Sequence, residues 1–438
     1  MHLFPAVLLT IIVAPRCAAG DVNTIPLTGI NRPTAYLNSF QPYRAPHRLH
    51  ATNRREKLPS LRNNLHRGPE PSHASSNGQF KLPKFDFSFL TKSKKPPVSN
   101  LNIELKRSVN DMYYGKINVG TPGQEFNVVF YTGFSLTWIL SSHSPSHFTL
   151  SEQRKYNNDS SSTYKSEGTA FDIKYPFGQV AGYVSQDSIS LAGLTVENQT
   201  FGEAIKQLEM FKDTVIDGVV GLGFRDLSWD KETNLLDNMV KQGVLKAPIF
   251  SFYFGRVGNG SRSPFLTLGG VNPDFFTGDF TFVNLSVPLK WQFDFDRVQL
   301  FDGENIFCNA GCQAKVESTT WMIVGPYADV HRLNAKLGAR QTSVQGTNVL
   351  YEFDCSEIDN LPDVEFIING EKLSLSSKDY VVKRFRRKTM ACYSAFVGRK
   401  TVTKGNESLW TLGQAFMRGF YTHFDKANSR IGFAKAKH

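Results

Sequence analysis

The chain has 438 residues, 40% of them hydrophobic and 13% aromatic, which is ample for one large core or two and excludes a coiled coil or a disordered tail protein. Lys+Arg 50 against Asp+Glu 39 gives a net charge of +11, but residues 1–100 hold 14 basic and 4 acidic residues, leaving 36 against 35 for the rest. A body near +1 has no field to draw nucleic acid, so the basicity belongs to the front of the chain.

That front opens with an apolar run, Leu3 to Val13, followed by small residues around Cys17, the pattern of a signal peptide over residues 1–20. The run is too short to cross a bilayer of roughly 30 Å, and no later apolar stretch reaches about 18 residues, so the expectation is a secreted or luminal protein with no membrane span. Residues 21–107 are rich in Pro, Ser, Asn and base (NRREK, LRNNLHRGPEPSH, TKSKKPPVSN), with one apolar segment at 84–90. They read as a basic propeptide, and the pair Lys106-Arg107 is a candidate processing site.

From Tyr113 the pattern turns to strands: YYGKINVG, EFNVVFYTG, SLTWIL, TAFDIKY, GQVAGYVSQDSISLAG and FLTLGG, separated by turn signals such as TPGQ and NNDSSS. Only residues 235–243 and 328–339 show helical spacing. The protein is therefore expected to be mainly β. An internal duplication organises it, since VVFYTGFSLTWIL (128–140) and AKVESTTWMIVGP (314–326) share a strand, a turn of small residues and a second apolar run. Each is followed by a strand ending in glycine, at Gly223 and Gly413 respectively. Two similar β-rich lobes around a central cleft are expected, over 108–285 and 286–438.

Of five cysteines, Cys17 lies in the signal, leaving Cys308, Cys312, Cys355 and Cys392, which allow three connectivities. An exported protein favours disulfides over a metal clamp, and no His lies close to CNAGC, so no metal and no cofactor are expected. Five Asn-X-Ser/Thr sequons, at Asn158, Asn198, Asn259, Asn284 and Asn406, fit passage through the secretory pathway and make a glycoprotein of it.

The ordered segments YYGKINVGTPGQEFNVVF, IDGVVGLG, LLDNMVKQG, FLTLGGVNPDFFTGDF, CNAGCQA, LPDVEFIINGEKLSL and SLWTLGQAFMRGFYTHFDKANSRIGFAKA resemble the pepsin-like aspartic proteases, peptidase family A1, along nearly the whole chain after the propeptide. The resemblance implies the bilobal pepsin fold and disulfides Cys308–Cys312 and Cys355–Cys392. The family's disulfide in the first lobe is missing, since residues 143–153 contain no Cys.

The likeness fails at the chemistry. These enzymes place Asp-Thr-Gly in each lobe, so that two carboxylates share a proton and hold one water. Here the first turn reads Tyr131-Thr132-Gly133, and a phenol with an ordinary pKa of about 10 stays protonated and cannot be the base. Its ring is expected to occupy the water site. The second turn reads Glu317-Ser318-Thr319-Thr320-Trp321, where the family has Asp-Thr-Gly-Thr-Ser. Glu317 sets its carboxylate one methylene further out, and a displacement of about 1 Å costs on the order of a hundredfold in rate. Thr319 in place of Gly is expected to remodel the turn, and Phe134 replaces a Ser that would bond the first carboxylate. Thr132 and Ser318 keep the hydroxyls that cross-link the turns in the family, and Tyr175 falls at the flap tyrosine with Trp138 as partner. The tip, Pro176-Phe177, departs from the usual sequence and offers Phe177 as a cleft contact.

The sequence therefore points to a catalytically inactive, monomeric, secreted homologue whose cleft binds a peptide or protein ligand. The alternative is an active aspartic endopeptidase working through Glu317 alone, which lacks the acid and base pair the reaction needs; a structural or nutritive secreted protein is a third reading. His423 is the one candidate that could rescue the chemistry, and it is expected at the surface.

Overall fold

The computed structural model describes residues 98–438 except 109, 146–152, 176–177, 213, 226–232, 257–261, 387–388 and 401–408, together with the backbone but not the side chain of Arg386. The expected signal peptide, most of the expected propeptide, Phe177, Asn259 and Asn406 lie outside the described residues.

Strand after strand follows period-two patterning. In Tyr113–Val119 the side chains of Tyr113, Ile117 and Val119 are buried while Lys116 is exposed, which is what a strand with one covered face requires. An eight-stranded sheet runs in the order Lys106–Arg107, Tyr113–Val119, Gln124–Tyr131, Gly218–Gly221, Trp138–Leu140, Leu194–Lys206, Gly178–Leu191, Lys165–Tyr175. A nine-stranded sheet contains Cys312–Val316, Leu409–Leu412, Ile323–Pro326 and Phe396–Arg399 side by side. The duplication read in the sequence is visible in the pairing. Gln124–Tyr131 pairs in parallel with Gly218–Gly221, which pairs antiparallel with Trp138–Leu140, itself parallel to Leu194–Lys206. The second half repeats the same three relations with Cys312–Val316, Leu409–Leu412, Ile323–Pro326 and Phe396–Arg399. The fold is mainly β and bilobal.

A six-stranded sheet draws on both halves: Leu101–Glu104, Phe265–Leu268, Ile249–Tyr253, Phe420–Asp425, Arg430–Ala436 and Phe276–Asn284. Its face is aromatic. Phe250 stacks on Phe424 at 4.6 Å, Trp291 meets both rings edge-on, and the Trp291 indole donates to the Leu222 carbonyl at 3.0 Å. Residues 101–107, within the expected propeptide, pair with strands of the body: Leu101–Glu104 with Phe265–Leu268, and Lys106–Arg107 with Tyr113 and Tyr114.

His423 is not at the surface. It is buried in the six-stranded sheet, where its Nδ1 lies 2.9 Å from the Ser251 hydroxyl and its ring packs on Phe280 and Phe282. The strand alternation places its side chain on a covered face, and burial lowers its pKa to about 4. None of these neighbours is Tyr131 or Glu317, so it offers no rescue.

The expected helices form at Leu235–Lys241, where the Asn234 side chain accepts from the Leu236 amide at 3.0 Å, and at Tyr327–Lys336. Two further helices, Ser377–Tyr380 and Gln414–Gly419, are too short to show a period, and the second is buried throughout. Both implied disulfides are formed, Cys308–Cys312 and Cys355–Cys392. Asn198 and Asn284 are exposed and Asn158 is half-buried. No helix of the described residues is long and apolar enough to cross a membrane.

Candidate functional site

The two sequence-matched turns meet at the junction of the halves. Thr132 donates from Oγ1 to the Val316 carbonyl at 2.8 Å and accepts the Ser318 amide at 3.1 Å. In return Ser318 donates from Oγ to the Phe130 carbonyl at 2.6 Å and accepts the Thr132 amide at 3.2 Å. All four bonds are buried, so each hydroxyl satisfies two polar groups that water cannot reach. Gln414 adds a fifth bond, from its side-chain amide to the Ser318 carbonyl at 2.9 Å. Gly413 is required behind this turn because a Cβ would stand 2.3 Å from the Thr320 and Met322 carbonyls.

Thr319 follows Ser318 in this turn. Its φ lies outside the left-handed region, so a Cβ is accommodated without strain, and the cross-bonds of Ser318 keep the backbone in place.

At the first turn, the Tyr131 ring folds back over Gly133: a Cβ there would stand 2.4 Å from the phenol oxygen, so only glycine fits. Tyr131, Phe134 and Tyr175 form a cluster, with centroids 5.8 Å apart for Tyr131 and Phe134, 6.2 Å for Tyr131 and Tyr175, and 4.6 Å for Phe134 and Tyr175. The flap strand Lys165–Tyr175 delivers Tyr175, whose hydroxyl accepts the Trp138 indole N–H at 3.1 Å. Both residues are also packed in an apolar cluster with Met112, Val129, Leu136 and Phe171, so each has a core role.

Under these rings the described residues leave a cavity of about 20 Å³, bordered by Met112, Tyr131, Tyr175, Leu208, Phe211 and Thr319. That is room for about one water, in surroundings too apolar to hold it. Burial first, then the charge of Glu317 and the neighbouring Tyr175, hold the Tyr131 pKa well above its ordinary value. Tyr131 is a neutral phenol throughout the range in which a carboxylate could work.

Glu317 follows the strand Cys312–Val316 and its Oε1 receives the Lys315 ammonium at 2.5 Å. Arg399 is close enough to feel the Glu317 charge, although burial is the larger influence on that guanidinium and lowers its pKa. The carboxylate that survives is thus matched by cations, not by a second carboxylate. Behind the first turn, buried Asp217 accepts the Asn127 and Arg154 amides, each at 2.7 Å, and burial raises its pKa to about 6 despite both bonds.

At the second turn Trp321, where the family has Ser, is buried and covered by the Arg384 guanidinium, 4.9 Å from the ring centroid. Arg384 also pairs with Asp111, which pairs in turn with Arg107. Asp111 has φ 64, a left-handed conformation that Asp tolerates better than most residues. This latch joins the amino-terminal strand segment to the hairpin Val381–Arg386 and Thr389–Ser394 of the second half. Sequence reading missed it because Asp111 and Arg384 are 273 positions apart with no shared motif. Lys315 was within reach, since it lies two residues before Glu317 on the same side of an extended segment. Among the described residues no group of His, Cys, Asp and Glu is arranged to hold a metal.

Residues 112–436 match the family described as eukaryotic aspartyl protease. The chain is 36% identical to cathepsin D of Chionodraco hamatus over 356 residues, covering 81% of this chain and 87% of that one. It is 37% identical to cathepsin D of Gallus gallus (76% and 82% covered) and 38% identical to that of Dictyostelium discoideum (74% and 83%). With the turns, their cross-bonds and the duplicated sheet pairing in place, the chain belongs to the eukaryotic aspartyl protease family.

Proposed function

We propose that this protein is a secretory-pathway member of the family that does not hydrolyse peptide bonds, and that its cleft serves binding. The observation that carries the reading is the packed Tyr131 ring over a cavity of about 20 Å³, where the reaction needs an ionised carboxylate and a water. Glu317 cannot supply both roles. General acid and general base catalysis need two groups whose pKa values are driven apart, and its partner here is Lys315. An active endopeptidase working through Glu317 is the alternative, and the ion pair with Lys315 speaks against it.

A peptide or protein ligand would lie across the aromatic floor of Phe134 and Tyr175 rather than within it, since no side chain fits beneath the rings. Lobes over 108–285 and 286–438, a signal over 1–20, a propeptide over 21–107, glycans on Asn158, Asn198, Asn259, Asn284 and Asn406 and a monomeric state complete the proposal. Cleavage after Arg107 would withdraw Leu101–Glu104 from its pairing with Phe265–Leu268, so removal of the propeptide would need that edge to be rebuilt.

The test is acid incubation of the full chain at about pH 4 followed by mass measurement. Without a carboxylate pair the chain stays intact; spontaneous loss of its amino-terminal segment, prevented by Glu317→Gln, would sink the reading.

A further inference from the structure

Arg418, on the helix Gln414–Gly419, is only 7% exposed. Its guanidinium donates to the Asp379 carbonyl at 2.6 Å and has no ion-pair partner among the described residues. The carboxylates around it are taken. Asp379 receives Arg256 through Nε at 2.8 Å and Nη2 at 2.9 Å, and the Ser376 hydroxyl at 2.7 Å. Asp111 is shared by Arg107 and Arg384, a triad that itself keeps one net positive charge. A guanidinium stays charged even in such surroundings, and a buried charge without a counter-charge is expensive.

A second unsatisfied donor faces it from the other half. Tyr113 is 6% exposed, its ring packs on Phe254 at 4.9 Å, and its hydroxyl has no hydrogen-bond partner among the described residues. Burial is the first influence on both pKa values, raising that of Tyr113 and lowering that of Arg418; for each, the next is the charge of the other. The two polar heads therefore share one space. Neither is among the fully enclosed unpaired atoms, so a narrow opening reaches them. Buried donors of this kind call for an acceptor. We propose that Arg418 and Tyr113 hold one small inorganic anion, a halide such as chloride, between the two halves. N–H from one side and O–H from the other are donors that a halide accepts, and its single charge cancels that of Arg418. A doubly charged tetrahedral oxyanion asks for more donors than one guanidinium edge and one phenol provide. A water would accept both bonds and leave the charge uncancelled.

The test is thermal melting of the full chain at a constant ionic strength of about 0.15 M in sodium chloride, bromide, sulfate or methanesulfonate. Chloride and bromide should raise the midpoint by about 2 °C or more over methanesulfonate, along a curve that saturates with halide concentration. Tyr113→Phe keeps the ring on Phe254 and loses only the hydroxyl, so it should cut the halide increment to about half or less. Arg418→Gln should abolish the increment; should that chain fail to fold, Tyr113→Phe decides alone. The chloride NMR line should be broadened by the wild-type chain, less so by Tyr113→Phe, and should narrow when bromide is added. An increment equal for halide and methanesulfonate, or unchanged in Tyr113→Phe, as a bound water or salt at the basic amino-terminal region would give, overturns the proposal. So does stabilisation by sulfate that depends on Tyr113 while chloride gives none.

Discussion

Tyr131 and Glu317 hold equivalent places in two turns that share one backbone plan, the same parallel strand pairing and a reciprocal pair of hydroxyls, yet their side chains meet different surroundings. The first turn is blocked by volume: a neutral ring occupies the space and packs with Phe134 and Tyr175. The second keeps a carboxylate but spends its charge on Lys315. The cross-bonds between Thr132 and Ser318 are untouched by either change. The comparison separates what the turns do for the fold from what they do for catalysis, since the hydrogen bonds that join the halves persist where the acid groups do not.

The largest effect should come from emptying the blocked turn. Tyr131→Ala removes a 5% exposed ring and should cost about 3 to 4 kcal/mol in denaturant unfolding. A loss under about 1 kcal/mol would mean that the ring is not part of the core.

Asp217 immediately precedes the strand Gly218–Gly221, whereas the register places Leu409 at the equivalent position of the second half. A carboxyl whose folded pKa is raised to about 6 binds its proton more tightly in the native state. Its contribution is therefore fully present below about pH 4 and is lost as pH rises through 6, on the order of 2 to 3 kcal/mol in all. The difference in stability between wild type and Asp217→Asn should be larger at pH 4 than at pH 7; a difference that grows with pH contradicts the assignment. His423, lowered to about 4, acts in the opposite sense: its contribution is present above about pH 6.5 and lost as pH falls through 4.

Next comes the shared element. Ser318→Ala deletes a donor to Phe130 and leaves the buried Thr132 amide without its acceptor, for about 2 kcal/mol. If the valine change at Thr132 is equally costly, the two turns are energetically equivalent, and a large inequality would break the comparison. The smallest effect is at the latch. Asp111→Asn should cost about 1 kcal/mol, because both arginine partners retain contact with water, and thermal melting at high salt should narrow the gap.

Much of this was legible in the residues. Alternation gave the strands around Tyr113 and Tyr131, and the duplicated segments at 128–140 and 314–326 gave the two-lobed plan, because both depend on local pattern. The substitutions at Tyr131, Phe134 and Glu317 were visible as departures from a recognisable turn. What stayed hidden depends on distant packing: Arg384 over Trp321, Asp111 on Arg384, and the burial of His423 against Phe280 and Phe282. An extended strand near the carboxy terminus looks the same in sequence whether its outward positions meet solvent or another sheet. The backbone strain at Thr319 was hidden for a related reason, since it is set by dihedral angles, which a residue type alone does not give.

The most direct measurement is hydrolysis of an unfolded protein by the purified chain from about pH 3 to 7, beside its Glu317→Gln variant. The account predicts that both stay at the background rate at every pH. Cleavage by the wild-type chain that disappears with Glu317→Gln would show that the turns still work together as an acid and base, and the account would fail.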